Sequence, residues 1–130
     1  MKGRILSVLV SAMLVTAGAA FAHHGTNISY DGDKVVTVKG KATKYVWANP
    51  HSQLFWEAVE DGKTVVWGGE LHSIALLTRA GWTRDLIKVG DTLEVTGHPS
   101  RAGTPYMVVT RVVLNGKEYF RDLPDTTQGQ

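Results

Sequence analysis

The chain has 130 residues, no cysteine, and 14 Lys and Arg against 12 Asp and Glu. The lack of cysteine excludes disulfides, thiolate metal centres, cysteine nucleophiles and a lipidated N-terminal cysteine. The formal charge of +2 rests on Lys2 and Arg4 alone, so the remainder has no cation excess of the kind that phosphate neutralisation by a nucleic-acid binder needs.

Lys2 and Arg4 precede an apolar run from Ile5 to Ala19, and Ala20-Phe21-Ala22 has the small-x-small form of a cleavage site. These three parts predict a secretory signal peptide over residues 1–22. The run is too short, and too rich in Ala, Ser, Thr and Gly, to hold a helix across about 30 Å of hydrocarbon. Cleavage after Ala22 leaves 108 residues that begin with His23, with 12 basic and 12 acidic side chains. That length fits one domain able to bury a core without staples. No second apolar span follows, so the product is expected to be soluble. The short leader without a twin arginine points to bacterial general export and a periplasmic or secreted location.

Residues 23–33 are turn-rich and read as a flexible N-terminal arm, with Asp31-Gly32-Asp33 as its turn. The folded domain is expected over residues 34–121. Val35 to Trp47 alternates as a half-buried strand, with Val36, Val38, Ala42 and Val46 on one parity and Lys39, Lys41, Thr43, Tyr45 and Trp47 on the other. Gly40 within it suggests a bulge or bend, and Asn49-Pro50 ends it. His51 to Glu60 is the second strand, and Glu60-Asp61-Gly62-Lys63 a hairpin turn by its Asp-Gly pair. Thr64 to Trp67 is the third strand, ended by Gly68-Gly69. Ser73 to Ala80 is the one helical stretch after the leader, with Ser73 as N-cap and Gly81 as a left-handed C-terminal stop. Thr92 to His98 and Tyr106 to Leu114 are the fourth and fifth strands. Asn115-Gly116 turns the chain into a short return over Lys117 to Phe120. Residues 122–130 read as a disordered polar tail.

Three strands, a helix and two strands predict an all-β fold, a small five-stranded OB-like (oligonucleotide/oligosaccharide-binding) Greek-key barrel with one short helix between strands three and four. Closure removes the sheet edges; the plain alternative is an open β-sandwich.

Trp47-Ala48-Asn49-Pro50-His51, Glu70, Ser73, Leu76-Leu77, Arg79, Gly81-Trp82, Gly90-Asp91 and Gly97-His98-Pro99, after a His-His start, resemble the small secreted bacterial proteins of the DUF6152 family. The resemblance spans His23 to about Phe120. The chain departs from the family pattern at Ile74, where that pattern has Pro, and His72 lies outside it. The resemblance implies a secreted single domain and no activity.

All five histidines, His23, His24, His51, His72 and His98, fall after the leader, and none makes a local zinc motif. His51, His72 and His98 fall at strand ends or loops, where ligands are presented; surface histidines without function are common there too. His23 differs by position. A free terminal histidine chelates through its amine and Nδ1, and one further imidazole completes a three-nitrogen histidine brace. All-nitrogen tetragonal ligation suits Cu(II), which also tops the affinity order of divalent metals. Met107 is the lone methionine after the leader, so soft-sulfur Cu(I) ligation is not expected. Oxidative chemistry of the lytic polysaccharide monooxygenase kind would share only the first residue. Glu57 and Glu70 read as ordinary charges.

The leading expectation is a periplasmic copper-binding protein, using His23 with His24 and one or more of His51, His72 and His98. It would buffer the metal or deliver it to another periplasmic protein, and would not turn over substrate. The alternative is a metal-free module whose face, Tyr45, Trp47, Phe55 and Glu57, grips a peptide or glycan.

Overall fold

The computed structural model describes residues 29–119. The leader, His23, His24 and the 122–130 tail lie outside them. The elements are β1 (Val36–Val46), β2 (Gln53–Glu60), β3 (Lys63–Glu70), helix α1 (Ile74–Arg79), β4 (Thr92–Pro99), β5 (Tyr106–Leu114) and β6 (Lys117–Glu118). The strand order is β3-β2-β1-β4-β5-β6, and a parallel β3–β5 pairing closes the first five strands into a barrel. This is the OB-like connectivity expected from the element order, with the helix between β3 and β4.

Alternation along the strands fills the barrel. Leu54, Trp56 and Ala58 from β2 meet Leu93 and Val95 from β4 and Met107, Val109 and Val112 from β5, all at or below 4% exposure. Leu71, Leu77, Trp82 and Ile87 belong to the same core and come from α1 and its flanks. Ser73 caps α1 by accepting the Leu76 N–H. At the other end Gly81 takes φ +84°, so the Trp82 N–H donates to Leu77 O and the Gly81 N–H to Thr78 O. That pair of bonds is a Schellman stop, and it brings Trp82 back over Leu77.

Three expectations need correction. First, β1 carries its irregularity at Thr43: Ala42 pairs with Trp56, Lys44 with Phe55 and Tyr45 with Leu54. The extra residue reverses the alternation. Tyr45 therefore turns inward beside the fully buried Leu54, and both Tyr45 and Trp47 pack on the core. Gly40 is instead a point of close approach, where a Cβ would run into the Glu57 carbonyl oxygen. Second, Gly68-Gly69 do not end β3. They pair with Tyr106 and Met107 at the closure, and a Cβ on Gly68 would overlap the Tyr106 ring. Third, the described end of the arm is docked. Tyr30 is 8% exposed and bridges to Ser100, while Asp31 N–H donates to Pro99 O and Arg101 N–H to Ser29 O.

Candidate functional site

The loop from β1 to β2 is stitched to the segment between β3 and α1. Ser52 N–H donates to His72 O (3.0 Å) and Leu71 N–H donates to Ser52 O (2.8 Å). The Ser52 side chain is fully buried; its Oγ donates to Ala48 O (3.1 Å) and accepts from Ala48 N–H (3.2 Å). Asn49 Oδ1 accepts the Ile74 N–H at 3.0 Å, tying the same loop to the start of α1. These bonds hold the loop that carries His51 against the segment that carries His72.

Glu70, the last residue of β3, stands between them and the N-terminal stretch. Its Oε1 is 3.1 Å from His51 Nδ1, and its Oε2 accepts the Tyr30 hydroxyl at 2.7 Å. His51 Nδ1 also lies 3.2 Å from Leu71 O. Both neighbours of Nδ1 are acceptors, so in the neutral ring Nδ1 carries the proton and Nε2 keeps its lone pair. The Tyr30 ring stacks on Tyr106, with centroids 6.4 Å apart. Burial pushes both phenols above their ordinary range, and the Glu70 charge adds to this. Tyr30 therefore remains a donor. Burial also lowers the His72 pKa, with further lowering from nearby His51 and a partial offset from Glu70. His72 is consequently a neutral imidazole at neutral pH.

The sequence-picked residues do not all converge. His51 contacts Glu70 directly, and His72, on the segment bonded to Ser52, lies near enough for both His51 and Glu70 to influence its charge. His98 does not join them: its Nδ1 faces Lys34 O at 2.7 Å. Its strand position pairs with Val108, which pairs in turn with Glu70, so two strand spacings, roughly 10 Å, separate their backbones. His23 and His24 lie outside the described residues. Among the described residues, no group of three or more His, Asp or Glu side chains is arranged to hold a metal ion.

The proposed aromatic face is divided. Tyr45 points inward, its hydroxyl 3.3 Å from Thr83 O, and its ring meets Trp47 edge-on at 5.9 Å. Phe55 and Glu57 lie on the outer surface, Phe55 beneath the Lys44 ammonium at 5.9 Å. Tyr45 and Trp47 therefore cannot share a binding surface with Phe55 and Glu57. Glu57 and Glu70 sit four positions apart along the β2–β3 ladder, about 13 Å, too far for a working carboxylate pair.

Sequence reasoning missed Tyr30 and the role of Glu70. Tyr30 is the one aromatic in the turn-rich arm, and an apolar ring in a polar stretch was the available signal. Glu70 carries no local mark, since its partners come from 19 and 40 residues away.

A family model matches residues 11–108; it is described as a family of unknown function, DUF6152. No curated protein and no solved structure matches the chain.

Proposed function

We propose that this chain, which belongs to the DUF6152 family, is a periplasmic protein that binds copper and buffers or delivers it. In this reading the signal peptide is removed after Ala22. His23 supplies its amine and imidazole, and His51 and His72 supply nitrogens from the barrel; His24 is a further donor from the terminus. His98 is left out, because β5 lies between it and Glu70.

The observation that supports the reading is His51, oriented by Glu70 where the N-terminal stretch docks, with His72 close enough for both residues to influence its charge. A carboxylate on the far nitrogen of a metal-binding imidazole fixes its tautomer and raises its basicity, and Glu70 is so placed on His51. His72 is kept neutral by burial, and a neutral imidazole is the form that binds a metal. Ser29 is six residues from His23, a span of at most about 20 Å, and Tyr30 touches Glu70 directly. The terminus is therefore within reach of both imidazoles. Two barrel nitrogens and two terminal nitrogens make a tetragonal all-nitrogen set, which favours Cu(II).

The test is Cu(II) titration by calorimetry and EPR on the exported protein, its first residue verified by mass spectrometry. The comparison proteins carry one added alanine before His23, or His51→Ala with His72→Ala. The expected result is one-to-one binding with a nitrogen-rich spectrum in the parent, weakened by either change. Equal weak binding by all three overturns the reading. It would leave the outer surface around Phe55 and Glu57 to a metal-free peptide- or glycan-binding module.

A further inference from the structure

Tyr30 makes more bonds than anchoring a chain requires. Its carbonyl oxygen accepts from Arg101 Nε at 2.8 Å, its neighbours pair with Pro99 and Arg101 through the backbone, and its ring stacks on Tyr106. Those contacts suffice to hold the segment on the barrel. The hydroxyl does something separate: it donates to Glu70 Oε2 at 2.7 Å. A glutamate at a strand end has several rotamers of similar energy. A short bond to one carboxylate oxygen selects among them, and the selected one leaves Oε1 facing His51 Nδ1 at 3.1 Å.

We infer that Tyr30 is a positioning residue that acts through Glu70, keeping the proton of His51 on Nδ1 and its Nε2 open toward a ligand. Its relevance to copper rests on the reading in the preceding section. The link is a relay of three side chains from three parts of the chain: the docked arm, the end of β3 and the β1–β2 loop. It makes the state of the N-terminal stretch legible at the barrel imidazole.

Tyr30→Phe isolates the hydroxyl, because the ring, its stacking and the backbone clamp remain. The tautomer of His51 is read in the metal-free protein from the imidazole nitrogen shifts by NMR, and copper affinity is then measured on the same samples. The expected result is an Nδ1–H ring in the parent and a mixed population in the variant. The Leu71 carbonyl remains as an acceptor, so the tautomer shifts and does not invert. Cu(II) affinity falls by up to about tenfold, the lower end for outer-shell partners of a metal-binding histidine, with unchanged stoichiometry. Adding Tyr30→Phe to Glu70→Gln should change the tautomer no further, whereas a general loosening of the fold would add to it. An unchanged His51 tautomer in Tyr30→Phe overturns the inference whatever the metal result. A shifted tautomer in a protein that fails to bind copper upholds the relay and overturns the copper reading instead.

Discussion

Replacing Ser52 by alanine tests whether one buried hydroxyl holds the β1–β2 loop. The serine has no exposed surface, and its Oγ makes two bonds, one given to Ala48 O and one taken from Ala48 N–H. Alanine removes both and brings no replacement donor or acceptor. Each lost bond is worth about 1 kcal/mol. The expected loss is therefore about 2 kcal/mol, which for a barrel of this size lowers Tm by roughly 10 °C. Urea unfolding should show a lower midpoint with an unchanged slope, since the surface exposed on unfolding is the same. On the copper reading proposed above, the substitution should also weaken Cu(II) binding, because His51 is the adjacent residue. A loss below about 0.5 kcal/mol would refute the reasoning. It would mean that the backbone pairs from Ser52 to Leu71 and His72 hold the loop unaided.

Gly81→Ala should cost about 1–2 kcal/mol in thermal unfolding, because φ +84° is a left-handed conformation that a Cβ resists. Thr43 is the extra residue opposite β2, so deleting it should remove the bulge yet leave Lys44 opposite Phe55 and Tyr45 inward opposite Leu54; the near-ultraviolet circular dichroism of the packed Tyr45 should be retained. Gly68→Val should disrupt the barrel closure, since its side chain would occupy the space of the Tyr106 ring; near-ultraviolet circular dichroism should report the displaced tyrosine. His72 has a lowered pKa in the folded chain, so the unfolded chain takes up the proton first. The metal-free protein should keep this contribution above the ordinary histidine range and lose it as pH falls through that range toward the folded value. His72→Gln should flatten that part of a stability profile measured by urea titration.

Most of the fold was legible because its punctuation is local. Asp61-Gly62 and Asn115-Gly116 both adopt positive φ, as their hairpins require. Ser73 and Gly81 bound α1 as their chemistry dictates, and β5 runs over Tyr106–Leu114 as read. What failed was non-local. The bulge at Thr43 follows from pairing with β2 after Lys41, and no residue in the strand announces it. Gly68-Gly69 look like a strand end and are in fact strand interior, because β5 and Tyr106 come close over them. Tyr30 reads from sequence as part of a flexible arm, since the residues that clamp it, Glu70 and Arg101, lie far along the chain. The candidate site shows the same division. His51 and His72 stood out as loop histidines, but their meeting depends on the backbone bonds of Ser52, which no motif encodes.

The barrel closure has a consequence for the motions of the domain. The ladder joining β3 to β5 is three pairs long, whereas eight pairs join β2 to β3. A short parallel seam is the place where a closed sheet opens at least cost, so the amides of Tyr106 to Val108 should exchange with deuterium ahead of those in β2. The final pair of that seam is Glu70 with Val108. The residue that gathers Tyr30 and His51 is thus also the latch of the barrel. A ligand that fixes Glu70 in place would protect amides on a strand it does not touch, and breathing of the seam would set how quickly such a ligand is released.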